Sequence, residues 1–185
     1  MSDVPEDILT DRLRIRSFRA DDLAALAEIF AKPEVWKFPF RRGFTAAETE
    51  RFLETRIERQ ALPGTSPGAA EERESGRLIG YVHLTPPDWL PEVMPAVEIG
   101  WRLDPVWWGK GFATEAARAV LAHGFTAMDL SEILSIYEPD NTASGRVMER
   151  IGMRPDHDTR HPFFDVPLRV YRLTRQEWSA TAARA

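Results

Sequence analysis

The segment Trp107-Trp108-Gly109-Lys110-Gly111-Phe112-Ala113-Thr114-Glu115 constrains the fold more than any other, because it carries a strand through two glycines into the start of a long helix. The first amides of a helix have no intrahelical partner, and glycine lets a ligand approach the backbone closely. The turn is therefore a candidate diphosphate cradle, or a tight strand-to-helix connection that binds nothing. Two other phosphate motifs fail on spacing. A Walker loop needs a glycine five residues ahead of its Gly-Lys-Ser/Thr, where this chain has Pro105 nearby, and Gly111-Phe112 follows Lys110. A dinucleotide fingerprint needs a third glycine, where Ala113 and Thr114 stand, and an acid ending the next strand, which Asp129 precedes instead.

Around this turn the pattern mixes strands and helices in one run, which argues an α+β or α/β class. Leu13, Ile15 and Phe18 predict a strand, and Leu23, Leu26, Ala27 and Phe30 a short helix over 20–31. Thr45 and Glu48 form a capping box that opens a helix to about Gln60, which Pro63 and Gly64 end. Residues 69–74 and 77–84 read as a hairpin about Ser75-Gly76, with an unusually polar first arm. Pro86, Pro87 and Pro91 make a loop. Over 96–103, Val97, Ile99, Trp101 and Leu103 take one face of a strand, and Glu98, Gly100 and Arg102 the other. Ala113, Ala116, Ala117, Val120, Leu121 and Phe125 stripe the longest helix. A strand over 133–137 follows, then a helix opened by Asn141 and closed by Gly152. The last strand spans 168–173, and Thr174 with Glu177 offers a second capping box before an Ala-rich tail.

Composition narrows the chemistry. The 185 residues carry a net charge of -5, which argues against a basic nucleic-acid binder, and 43% hydrophobic residues suffice for a sizeable core. Absence of cysteine removes disulfides, thiolate metal sites and a cysteine nucleophile. No charge-free apolar window approaches the ~18 residues of a membrane span, so a cytoplasmic protein is expected.

The run Glu98-Ile99-Gly100-Trp101 through Leu103, Pro105 and Trp107 to Ala116, followed by Pro139-Asp140-Asn141-x-Ala143-Ser144-x-x-Val147-Met148-Glu149-x-x-Gly152-Met153, resembles the GNAT superfamily of acetyl-CoA-dependent N-acetyltransferases. Thr10-Asp11-Arg12-Leu13-x-Ile15-Arg16 and Gly80-Tyr81-Val82 are similar to its branch of ribosomal-protein N-terminal acetyltransferases. The resemblance covers residues 10 to 178, read as one domain between flexible tails at 1–9 and 179–185. It implies a GNAT acyltransferase fold: a mostly antiparallel sheet of about six or seven strands, splayed in the middle to admit pantetheine and flanked by about four helices. The family's phosphate signature falls on Trp108, Gly111 and Ala113, with Trp108 where Arg or Gln is usual. Backbone amides from Gly109 through Lys110, Phe112 and Ala113 to Thr114 would make the contacts, and Asn141 and Ser144 would line the cofactor arm.

Acetyl transfer needs a neutral amine, a polarised thioester and a proton for the thiolate. Glu98 is the candidate base; the alternative is a carboxylate paired with Arg102 or exposed to solvent. A strand amide near Ile99 to Trp101 would hold the carbonyl oxygen. Many members of the superfamily have a tyrosine as acid seven residues after the helix-opening asparagine, where this chain has Met148; Ser144 and then Tyr137 are the substitutes, Ser144 also reading as a cofactor contact. Trp36, His83 and Tyr137 are candidate substrate contacts, as are His157 and His161, though aromatics and single histidines also serve cores; no metal site is expected. Arg41-Arg42 reads as a solvated pair. The acceptor is an amine, a small molecule or a protein N-terminus, attacked directly in a ternary complex. Acidic net charge weighs toward a cationic one. Two rivals remain at this level: an acyl-CoA-binding module without catalysis, motivated by Met148, and a protein-binding scaffold. Neither nucleic acid nor membrane is an expected partner, and exposed edge strands admit a homodimer.

Overall fold

The computed structural model describes residues 6–182. Eight strands make one sheet: β1 (Ile8–Leu9), β2 (Leu13–Arg16), β3 (Ala69–Glu72), β4 (Leu78–Thr85), β5 (Glu98–Leu103), β6 (Glu132–Tyr137), β7 (Arg154–Arg160) and β8 (Pro167–Thr174). Their order is β1-β2-β3-β4-β5-β6-β8-β7, antiparallel throughout except between β5 and β6. Five α-helices cover it: α1 (Leu23–Phe30), α2 (Ala46–Arg59), α3 (Phe112–Thr126), α4 (Thr142–Arg150) and α5 (Arg175–Ala182).

The parallel junction is where the sheet opens. Strands β5 and β6 share one register pair, Glu98 with Leu134, beside a bond from the Leu134 amide to the Val97 carbonyl at 3.0 Å. The buried Ser135 hydroxyl then donates to the Ile99 carbonyl at 2.9 Å. The strands share no pair beyond this point, so the gap-facing edge of β5 keeps backbone groups free for a ligand.

Side-chain alternation gives the sheet two unlike faces. Ile99 and Leu103 enter one core with Ala116, Val120 and Leu121 of α3 and Met148 of α4. On the opposite face Phe30, Trp36, Leu53 and Tyr81 build a second core beneath α1 and α2. The α2 capping box is formed, with the Thr45 amide donating to Glu48 at 2.8 Å and the Glu48 amide to Thr45 Oγ1 at 3.3 Å.

Strands β1 and β7 exceed the six or seven expected. Every residue of β7 except the half-buried Thr159 is exposed, and Asp156, His157 and Asp158 supply no apolar alternation; its ladder to β8 holds it. The polar arm of the β3–β4 hairpin has a physical cause: the buried Glu72 carboxylate accepts from the Glu74 and Ser75 amides and closes the turn itself. The read boundaries also shift. Ile8–Leu9, assigned to a tail, pair with β2, and α5 carries ordered structure past residue 178 to Ala182. Residues 1–5 and 183–185 of the expected tails lie outside the described residues.

Candidate active site

Gly109 and Gly111 both take left-handed backbone, at φ +72° and +85°, and Gly111 is the N-cap of α3 without a side-chain cap. The opening amides of α3 are thus unsatisfied by any cap and point out of the turn. A Cβ at Gly109 would meet nothing within 4 Å, so the exposed turn leaves open space beside it. Both features fit a diphosphate. Arg12 braces the turn from β2: its Nη1 donates to the Lys110 carbonyl at 3.0 Å, its Nε to Glu115 at 2.7 Å, and its guanidinium lies 4.1 Å over the Phe112 ring. Thr10 Oγ1 donates to the same carboxylate at 2.6 Å. Burial works against the Glu115 anion, yet the hydrogen bonds from Thr10 and Arg12 hold its pKa below the ordinary value. Phe112 is buried, leaving only its amide to the turn, and Ala113 and Thr114 follow in the first helical turn. Lys110 stands 5.3 Å over Trp107. Trp108, in the signature's Arg/Gln position, commits its indole N–H to the Leu103 carbonyl at 2.8 Å and offers a half-exposed ring edge.

On the other face a cavity of about 630 Å³ runs from the β5–β6 gap out beneath α2. Its walls bring together Trp36, His83, Glu98, Trp101, Tyr137, Asn141 and Ser144, and extend to Met148. Glu98 sits at the root of the gap. Burial pushes its pKa up to about 7, against the opposing influence of the Trp89 indole, the charge of Arg56, the Ile136 backbone and the charge of Arg102. Arg102 does not pair with it, because its terminal nitrogens donate to the Val35 and Phe38 carbonyls at 2.8 Å each. A carboxyl that titrates near neutrality in a cleft can take a proton from an ammonium and release it to water.

Ile99 is fully buried, but its carbonyl faces the gap, and strand alternation turns the Trp101 backbone to the same edge. Asn141 caps α4, its side chain accepting from the Ser144 amide at 3.4 Å. Met148 is 1% exposed and belongs to the core as well as to the cavity wall. The Tyr137 ring packs against Gly145, where a Cβ would lie 3.1 Å from the phenol oxygen, so a larger residue there would require the ring to shift. His83 is buried, stacked on Tyr81 at 5.0 Å, with its pKa lowered by burial and by Arg56. Trp36 is a core residue, 3.7 Å from Phe44 in a stack, with one edge on the cavity. Of the loop histidines, His161 stacks on Trp89 at 4.9 Å at the cavity, whereas His157 lies on β7 beside Asp156.

Several groups escaped the sequence reading. Arg41 of the supposedly solvated pair binds the buried Glu138 at 2.5 Å, while Arg42 binds Glu48. Arg56 and Trp89 both influence Glu98, and nothing local in a helix flank or a Pro-rich loop marks either one. Among the described residues no helix is long and apolar enough to cross a membrane.

Residues 12–154 match the family model of the acetyltransferase (GNAT) domain. The uncharacterized N-acetyltransferase YnaD of Bacillus subtilis (strain 168) is 32% identical over 147 residues, spanning 80% of this chain and 82% of YnaD. The crystal structure of a GNAT-family acetyltransferase from Bacillus anthracis has a TM-score of 0.77 at 28% identity, covering 92% of this chain and 99% of that one. RimL, a ribosomal L7/L12 α-N-protein acetyltransferase in complex with coenzyme A, shares the fold with a TM-score of 0.73 at 17% identity, covering 91% and 98%. The chain belongs to the GNAT acetyltransferase family: it is an acyltransferase that carries acetyl from acetyl-CoA to an amine.

Proposed function

We propose that a primary amine attacks the thioester directly in a ternary complex, with Glu98 as base. The observation that carries this reading is the Glu98 carboxyl, held near neutral pKa at the root of the β5–β6 gap, where the acceptor cavity meets the free edge of β5. The glycine turn from Gly109 to Thr114 holds the diphosphate through its amides, and pantetheine runs along β5 past Ile99 and Trp101. One gap-facing amide of β5 polarises the carbonyl. Asn141 and Ser144 flank the pantetheine from α4. The Ser144 hydroxyl, which makes no hydrogen bond among the described residues, donates a hydrogen bond to the departing thiolate, which takes its proton from solvent. The setting of this reaction is taken to be cytoplasmic.

Calorimetric titration tests the cofactor half: acetyl-CoA and desulfo-CoA are expected to bind and ATP to fail. Binding without thiol release over a broad amine panel would leave an acyl-CoA-binding module. The acid has the smaller role, since a thiol is acidic enough to leave as the thiolate with little help. Ser144→Ala is therefore expected to lower kcat about 10-fold, with acetyl-CoA affinity held within about threefold. An unchanged kcat in single-turnover thiol release would remove Ser144 from the chemistry.

A further inference from the structure

The cations along the acceptor cavity are not equally paired. Arg59 is bound to Asp88 and Glu138 to Arg41, and the third carboxyl of the wall is Glu98, the base. Arg102 is fixed by two carbonyls and lies 3.9 Å over the Trp36 ring. Arg56 is left over. It enters from α2, lies 5.0 Å over the Phe52 ring, and has its Nε shut off from solvent without a partner. Its terminal nitrogens make no salt bridge or hydrogen bond among the described residues, and the carboxyl whose charge acts on it is Glu98, the base. Removing a guanidinium from water without a partner is costly, and a planar fork of donors is matched by a carboxylate. A phosphate dianion would call for a second uncommitted cation, and Arg59 and Arg102 are already engaged. Phe52 lies against Arg56, and Trp36, Phe40 and Phe44 line the same cavity.

We infer that the acceptor is an amine that also bears a carboxylate on an apolar or aromatic body, and that Arg56 receives that carboxylate while the amine faces Glu98. The inference rests on the acetyl-transfer reading above and reverses the preference for a cationic acceptor that net charge suggests. A polyamine would bring like charge against Arg56.

The test is thiol release from acetyl-CoA with matched acceptor pairs: phenylalanine against phenethylamine, tryptophan against tryptamine, leucine against 3-methylbutylamine, with spermidine as the polycation. The wild type is expected to favour the carboxylate member of at least one pair by about 10-fold or more in kcat/KM. Assayed at about pH 9, above the Glu98 titration with or without the Arg56 charge, Arg56→Gln should raise the KM of that member about 10- to 100-fold, change kcat less than about threefold, and leave the decarboxylated partner unchanged, with Arg56→Lys recovering part of the loss; near pH 7 the variant should slow both members, because Glu98 loses a charge that favours its anion. The melting temperature of Arg56→Gln should equal or exceed that of the wild type, because an unpaired buried donor is removed; a structural role would lower it and affect both members of a pair alike. Preference for phenethylamine, tryptamine or spermidine, equal effects of Arg56→Gln on both members at the higher pH, or no turnover of any carboxylate-bearing amine by protein that binds acetyl-CoA would each overturn the inference. Failure to bind acetyl-CoA in calorimetry would instead overturn the transferase reading beneath it.

Discussion

Glu98→Gln is expected to lower kcat at pH 8 by about 10²- to 10⁴-fold while acetyl-CoA affinity stays within about threefold, because the amide keeps the shape of the side chain and loses only the basic oxygen. Wild-type kcat/KM should rise about tenfold per pH unit up to about 7, where Glu98 loses its proton, and level off above it. The glutamine variant should lack that limb. Stability moves the other way. Burial raises the pKa of Glu98 in the folded protein from 4.5 to about 7, so between those values the folded state binds the proton that the unfolded chain releases. Stability therefore falls as pH rises through that window, and the cost is complete above about 7. Glu98→Gln should raise stability at pH 8 by at most about 3 kcal/mol and make no difference below pH 4. Full activity with the acidic limb intact in the variant would exclude Glu98 as base. Loss of activity with lowered stability at pH 8 would make it a structural residue.

The same residue shows how far local patterns carry. Alternation along 98–103 put Glu98 on the face opposite Ile99, and the structure keeps it there, yet its environment comes from distant segments: Trp89 in the Pro-rich loop, Arg56 on α2 and Ile136 on β6. Patterns confined to a few residues were legible. The Thr45–Glu48 box, the α3 stripe and the Asn141 cap all depend on neighbours within about one turn. Strand β7 was not legible, because exposed Asp and His residues carry no period and only the ladder to β8 defines it. Arg102 as the partner of Glu98 was a reasonable local guess that failed for a nonlocal reason, since the loop after α1 presents two carbonyls to it. Arg41 was misread the same way: its partner, Glu138, is 97 residues away.

The glycine turn allows a test in which strain and binding come apart. Gly111→Val is expected to raise the acetyl-CoA dissociation constant about 100-fold or more. At φ +85° a β-branched residue is a steric outlier, and the chain must relax the turn to accept it. A Cβ there would sit 3.5 Å from Arg12 Nη2, an ordinary contact, so the cost lies in the backbone and not in crowding. Relaxing that backbone misaligns the α3 amides, and the Arg12 bond to the Lys110 carbonyl, which braces the same turn, is pulled with them. Strain of about 1–3 kcal/mol leaves a protein of ordinary stability folded. Gly76→Val is the matched control: its φ is +67°, a Cβ there meets nothing within 4 Å, and it lies in the β3–β4 hairpin. Both variants should melt at lower temperature by similar amounts, whereas only Gly111→Val should lose acetyl-CoA in calorimetry. Equal dissociation constants for the two would mean that the diphosphate is held away from the turn, and the open space beside Gly109 would then have no part in binding the cofactor.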